Sequence, residues 1–228
     1  MWKSVLKVAV ATAAWAVLHS VLASRPAKDT AARLLGQRRR DGLYRPFYVV
    51  QSVVTLGALA AYVWPLPDRV LYRARGPLAW LMLGGQTAAA IYALWAAREV
   101  GLCRMLGVTS LAALLEGGVV VPEPEAQGPA LAEDGGMRAT GPFAWSRHPL
   151  NLAPVPVLWL WPTMTAKLAA FNGVATLYFI LGSRNEEARL RDAYGPAYAA
   201  YQQSGVPFYL PRPLPLPTGE SAPPPPAE

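Results

Sequence analysis

Two short clusters of ionisable residues stand on either side of an apolar stretch of the chain. The stretch covers residues 149–183 and contains a single charged residue, Lys167. Arg147 and His148 precede it, and Glu186 and Glu187 follow it. An arginine presents a planar fork that suits a carboxylate, and a histidine can donate or accept a hydrogen bond near neutral pH. Because ionisable residues at the edge of a membrane are costly, both clusters are candidates for a functional site.

A tight break at Trp161-Pro162-Thr163 divides this apolar stretch into two arms. If the arms form a hairpin in a bilayer, the clusters at their two ends lie on one side of the membrane. The sequence therefore predicts that the arginine–histidine cluster and the glutamate cluster come together. Pro149 suits the first position of a helix, and the N-terminus of that helix would itself favour an anion.

The two glutamates are adjacent in sequence, so on a helix their side chains point about 100° apart. We expect only one of them to serve the site while the other pairs with an arginine. Arg191 follows Glu187 by four positions and Arg189 follows Glu186 by three. Either glutamate could therefore form an ordinary ion pair on the helix surface.

The composition is that of a membrane protein. The chain is 53% hydrophobic and 15% charged, whereas soluble domains are about a quarter charged. The net charge of +7 does not predict nucleic-acid binding, because the basic residues lie between apolar segments rather than in one stripe. The single cysteine excludes an internal disulfide.

The apolar segments predict an all-α fold, a polytopic membrane bundle with about five transmembrane helices and a cytoplasmic C-terminal helix. Each segment approaches the length of about 20 residues that a spanning helix needs. Prolines in the first hairpin arm predict a kinked or partly inserted segment. The five segments are residues 2–23, 47–66 and 76–97 and the two arms of the 149–183 hairpin.

Basic loops stay on the cytoplasmic side, and the loop 25–45 contains seven basic residues. This predicts an external N-terminus, a cytoplasmic C-terminus and two clusters that face the cytosol. Residues 1–23 could instead be a cleaved signal peptide, but export of the basic loop would violate the charge rule. An aromatic belt is predicted at the opposite interface, made of Trp2, Trp64, Trp80, Trp159 and Trp161.

The remaining segments have weaker signals. Residues 1–210 are predicted to form the membrane domain, and 211–228 a disordered tail because it contains eight prolines. Residues 102–115 could form an interfacial helix, and the segment 117–142 is either a lid or a connector. Within the spans, His19 and Gln51 could line a channel for a substrate or join helices by hydrogen bonds. We predict no metal site, although the two histidines leave a haem site as an alternative.

The C-terminal half resembles the membrane-embedded methyltransferases, the superfamily of isoprenylcysteine carboxyl methyltransferases and bacterial phospholipid methyltransferases. The resemblance covers about residues 141–211 and rests on an ordered set of short motifs. The N-terminal half resembles the NnrU-like branch, which includes methanethiol S-methyltransferases, through His19-Ser20 and Tyr44-Arg45. The C-terminal motifs are Gly141-Pro142-Phe143, Arg147-His148-Pro149-Leu150, Glu186-Glu187, Tyr194-Gly195, Tyr198, Tyr201 and Val206-Pro207.

This resemblance implies a site for S-adenosylmethionine on the cytoplasmic side of a bacterial inner membrane. Arg147 or His148 would suit the carboxylate of the donor, and Glu186 or Glu187 its ribose hydroxyls or positive groups. Many relatives have a tyrosine where this chain has Asn151, which can form hydrogen bonds but cannot stack. The implied cofactor-binding residues are Arg147, His148, Pro149, Leu150, Glu186 and Glu187.

The implied activity is methyl transfer to a small thiol or a lipid-borne acceptor, with membrane lipid as the surrounding partner. A different function, that of a non-catalytic NnrU-type accessory protein linked to nitrogen-oxide metabolism, fits the N-terminal motifs as well. The sequence does not define the oligomeric state.

Overall fold

The computed structural model describes residues 2–121, 128–129, 131–132, 135–137 and 139–210. Within these residues the fold is helical, with one short two-stranded sheet, so the predicted all-α class is confirmed. The predicted tail at 211–228 lies outside the described residues, and the segment 117–142 is described only in part. The helices are α1 Trp2–Ala23, α2 Arg25–Leu35, α3 Gln37–Val63, α4 Gly76–Val100, α5 Leu102–Leu106, α6 Val108–Leu115, α7 Pro142–Trp145, α8 Pro149–Leu152, α9 Pro154–Trp159 and α10 Ala166–Gln203, and the strands are β1 Val70–Arg73 and β2 Thr163–Thr165.

Four helices in the described part of the chain are long and apolar enough to cross a membrane, namely α1, α3, α4 and α10. The most apolar 18-residue stretch of each has a mean hydropathy of 1.2 to 1.8. These four helices indicate an integral membrane protein. The bounds of α1 match the prediction. Helix α3 begins ten residues before the predicted residue 47, because the end of the basic loop is itself helical.

The first arm of the hairpin is not a continuous helix. It consists of α8 and α9, which have four and six residues. Proline has no backbone N–H and its ring crowds the preceding turn, so Pro154 separates α8 from α9, whereas Pro149 begins α8 and Pro156 lies within α9. The described residues thus contain four continuous helices of spanning length, where about five spans were predicted. The predicted break after Trp161 is present, since α9 ends at Trp159 and α10 begins at Ala166.

The described residues divide into two units. The first contains residues 2–80, 102–121 and 161–178, and the second contains 81–101, 128–160 and 179–210. In the first unit, β1 pairs antiparallel with β2. The Nζ of Lys167 donates to the carbonyl oxygens of Val63, Trp64 and Leu66 at 2.7–3.2 Å. This ammonium group therefore caps the C-terminal end of α3, where carbonyl groups lack helical partners.

The core of the second unit lies where α10 bends. Gly195 has φ +50° and ψ −124°, a conformation that strains residues with a Cβ atom. Leu190 lies before the bend, and Tyr198 and Tyr201 lie after it. All three are buried, together with Met137 and Val206. The bend directs the end of α10 and the following residues back toward the corner between α7 and α8.

Candidate functional site

The corner between α7 and α8 positions Arg147 and His148. Helix α7 ends at Trp145 and α8 begins at Pro149, so these two residues lie in the short connection. The backbone N–H of His148 donates to Ser146 Oγ at 3.2 Å. Both short helices begin with proline, which favours the first helical position and fixes the backbone there. Leu150 follows within α8.

A segment that follows α10 holds this corner in place. We refer to residues Val206–Tyr209 as the strap. Arg147 donates its backbone N–H to Pro207 O at 3.0 Å and its Nη1 to Val206 O at 2.8 Å. Ser146 Oγ donates to Phe208 O at 3.2 Å. The Phe208 ring also packs on His148, with ring centroids 4.8 Å apart.

The imidazole of His148 lies between the two glutamates. Its Nδ1 is 3.3 Å from Glu186 Oε2, and its Nε2 is 3.3 Å from Glu187 Oε1. The side chain of His148 is fully buried, and those of both glutamates are 12% exposed. The structure thus brings the two sequence clusters together, as the hairpin predicted.

The expectation that only one glutamate would reach the site was wrong. An imidazole has two nitrogens on different edges of its ring, so one histidine can receive two carboxylates that approach from different directions. Glu187 also pairs with an arginine, but its nearer partner is Arg147 rather than its helix neighbour Arg191, since Glu187 Oε1 accepts from Arg147 Nε at 2.8 Å. Arg191, half exposed, is more distant, at 3.9 Å from Glu187 Oε2.

Polar side chains from neighbouring elements complete the cluster. Asn151 Nδ2 donates to Glu186 Oε2, and Gln202 Nε2 donates to Glu187 Oε2, each at 3.1 Å. Asn151 therefore orients a carboxylate. Gln202 was not predicted from the sequence. It lies 15 residues after Glu187, and the bend of α10 at Gly195 brings it back to the site.

Tyrosines flank the cluster. Tyr198 is fully buried beside Glu187, but no hydrogen bond of acceptable geometry joins its hydroxyl to a described residue. Tyr209 packs edge-on to His148 with ring centroids 6.3 Å apart, and its hydroxyl is 2.8 Å from Ser183 Oγ. Burial raises the pKa of Tyr209, and the nearby Glu186 adds to this, although the bond to Ser183 opposes it. Tyr209 therefore remains a neutral phenol.

The other predicted site residues, His19 and Gln51, lie in the first unit. One ring nitrogen of His19 on α1 hydrogen-bonds Tyr48 Oη, and the other lies 2.9 Å from Ser52 Oγ, both on α3. Gln51 Nε2 donates to Ser52 Oγ at 2.9 Å. Trp15 Nε1 donates to Thr55 Oγ1 at 3.0 Å. This network joins α1 to α3, and a channel role for His19 and Gln51 remains a prediction.

The arginine, imidazole and two carboxylates can hold groups of either charge. As an imidazolium, His148 can donate to both glutamates, whereas a neutral imidazole can donate to only one of them. The carboxylates accept hydrogen bonds from hydroxyl or ammonium groups, and the guanidinium donates to carboxylates. Such a cluster suits a ligand that carries both kinds of group.

Comparison with known proteins gives partial similarities. Methanethiol S-methyltransferase 1 of Bradyrhizobium diazoefficiens is 36% identical over 61 residues, which are 27% of this chain and 21% of that protein. Methanethiol S-methyltransferase of Pseudomonas deceptionensis is 30% identical over 76 residues, 33% of this chain and 29% of that protein. The matched stretches thus span less than a third of these relatives. No family model and no solved structure matches. The similarity supports a methyltransferase-like protein.

Proposed function

We propose that this integral membrane protein is an S-adenosylmethionine-dependent methyltransferase whose donor site is the cluster of Arg147, His148, Glu186 and Glu187. The observation that carries this proposal is the buried imidazole of His148 between two carboxylates, which follow the apolar part of α10. Ionisable groups in such a position are costly and are retained mainly for function. The partial similarity to methanethiol S-methyltransferases supports the same class of reaction.

The residues of the cluster fit the proposed donor. S-adenosylmethionine carries a carboxylate, an ammonium group, a sulfonium and two ribose hydroxyls. Glu186 and Glu187 could accept from the hydroxyls or the ammonium group. Arg147 uses Nε and Nη1 for its bonds to Glu187 and Val206, and the other N–H groups of its five donors could bind the carboxylate. Asn151 and Gln202 would hold the two carboxylates in position.

The protein's part in such a reaction is to bind, orient and exclude water. The donor supplies an electrophilic methyl group on its sulfonium. The electron pair of the acceptor forms the new bond to the methyl carbon while the bond from that carbon to the donor sulfur breaks, and its electrons stay on that sulfur. A thiolate acceptor needs no general base at the moment of attack. Positioning then supplies most of the rate enhancement.

The acceptor that we propose is a small thiol, because both similar proteins are named methanethiol S-methyltransferases. A lipid-borne acceptor is the alternative. Under this proposal the site faces the cytoplasm at the inner membrane, an orientation that the distribution of basic residues favours.

Donor binding to the purified protein in detergent tests the site. Equilibrium dialysis with labelled S-adenosylmethionine should show saturable binding. Arg147→Gln and Glu187→Gln should each weaken it by about tenfold or more, since each removes a charge-assisted contact. The matched control is Arg191→Gln, which removes a half-exposed partner of the same carboxylate and should change the affinity by less than about twofold. Unchanged affinity in both site variants would exclude this cluster as the donor site.

The acceptor is tested separately with membranes that contain the protein. Labelled donor is incubated with methanethiol, longer thiols, amines or lipid extract. Volatile label with methanethiol would support the thiol, and label retained in lipid would replace it with a lipid acceptor. The absence of both donor binding and any labelled product would contradict the enzymatic proposal and favour the non-catalytic accessory function.

A further inference from the structure

A basic segment lies between two of the spanning helices. Helix α1 ends at Ala23 and α3 begins at Gln37, and α2 fills the interval. We refer to residues 25–41, which comprise α2 and the first turns of α3, as the basic collar. It contains six basic and two acidic residues, a net charge of +4. Because two spans enter and leave it, the collar lies at a membrane boundary.

Helix α2 has the exposure pattern of a helix that lies in the plane of an interface. None of its residues is buried. Leu34 is 79% exposed and Leu35 is 47% exposed, next to the exposed Arg33. Ser24 caps the start of α2, and Gly36, with φ +82°, turns the chain into α3. An amphipathic helix of this kind places its apolar residues at the acyl boundary and its basic residues among headgroups.

Several arginines of the collar have no negatively charged partner among the described residues. The acidic Asp41 is paired with Arg40 at 2.6 Å. Arg33 Nη2 donates to the hydroxyl of Thr30 at 3.1 Å, and Arg38 Nη2 donates to Gly118 O at 3.3 Å. These acceptors are uncharged. Arg33, Arg38 and Arg39 are all exposed, so their positive charges face the membrane boundary.

We propose that the basic collar binds the anionic phospholipid headgroups of the leaflet at the α1–α3 connection. Arginine forks match phosphate oxygens, and clusters of four to eight basic residues beside a span bind anionic lipid. The proposal does not depend on the methyltransferase activity. A collar that only fixes the orientation of the chain during insertion would show no lipid preference once the protein is folded.

Native mass spectrometry of the full chain tests this proposal. The wild type, in mixed phosphatidylglycerol and phosphatidylcholine, should retain phosphatidylglycerol. In the collar variant R33Q/R38Q/R39Q the apparent affinity for phosphatidylglycerol should fall by about tenfold or more, because the attractions of basic residues to the surface add together. The matched control is R69Q/R73Q/R75Q, which removes three exposed arginines of the α3–α4 connection and should keep the preference.

A charge-conserving variant separates lipid binding from folding. R33K/R38K/R39K should retain most of the phosphatidylglycerol, and higher salt should weaken its retention. Equal loss in the collar and control variants would overturn the proposal, as would an unchanged preference in R33Q/R38Q/R39Q. Loss in the lysine variant equal to that in the glutamine variant would also overturn it, because charge would then not be the cause.

Discussion

Arg147 links the two halves of the candidate site through a single side chain. Its Nε lies 2.8 Å from Glu187 Oε1, and the two side chains are 15% and 12% exposed. The same guanidinium donates to Val206 in the strap. The residue therefore contributes to the architecture of the site whether or not a ligand is bound.

Arg147→Ala should destabilise the protein by about 1–3 kcal/mol, because Glu187 and a strap carbonyl lose a charged donor. The thermal midpoint in detergent measures the effect. Adding Glu187→Gln should recover part of the loss, since the remaining group is then uncharged. Strictly additive losses in the double variant would contradict a direct interaction.

Tyr198 and Tyr201 provide a matched pair one turn apart on α10. Tyr201 Oη donates to Phe143 O at 2.6 Å. Tyr198 Oη forms no hydrogen bond to another described residue. Tyr201→Phe should cost about 1–3 kcal/mol, because a buried carbonyl loses its donor. Tyr198→Phe should change the stability by less than about 0.5 kcal/mol. A larger loss for Tyr198→Phe in the same thermal assay would show that its hydroxyl is engaged.

At the scale of the elements, α3 lies in close contact with α6 and is hydrogen-bonded to α5. A Cβ atom added at Gly42 would lie 2.7 Å from Leu114 Cβ, and one added at Gly57 would meet nothing within 4 Å. Arg45 Nε also donates to Met105 O at the end of α5, at 2.6 Å. The two glycines of one helix therefore have different roles.

Gly42→Ala should destabilise the protein by about 1–3 kcal/mol, because α6 must move away from α3. Gly57→Ala, on the same helix, should be neutral or should stabilise it by up to about 1 kcal/mol, since alanine favours a helix. Thermal denaturation in detergent compares the two. Equal destabilisation would mean that the close approach of α6 does not limit the size of residue 42.

The elements also show where a sequence is informative. Hydropathy predicted both ends of α1 correctly, because a membrane span is recognised by the length of its apolar stretch. It missed the first ten residues of α3, where charged side chains continue the helix, and it missed β1, whose pairing partner lies about 90 residues later. Because Glu186 and Glu187 are adjacent, the sequence predicted that their side chains point apart and do not share one site. It does not show that the imidazole of His148 lies between them. The role of the strap was not predicted from the sequence, because its hydrogen bonds to the corner are accepted by its own backbone carbonyls, which every residue has.

At the scale of the whole molecule, the strap and the tail that follows it should differ in importance. Ending the chain after Leu210 should leave thermal stability and donor binding unchanged, since the tail is predicted to be disordered. Ending it after Gly205 should lower the stability by about 2 kcal/mol or more, because Arg147 and Ser146 lose backbone acceptors. The thermal midpoints and donor affinities of both truncated proteins test this. Equal effects would contradict the separate role of the strap.

The order of synthesis gives the strap a further consequence. Arg147 leaves the ribosome about sixty residues before Val206, so the corner between α7 and α8 is synthesised before the strap that fastens it. Until then, His148 lacks the Phe208 ring, and Arg147 and Ser146 lack the backbone oxygens that accept their hydrogen bonds. The site is therefore complete only after the strap has been synthesised, so a chain that stops before Val206 carries Arg147 and His148 without their fastening.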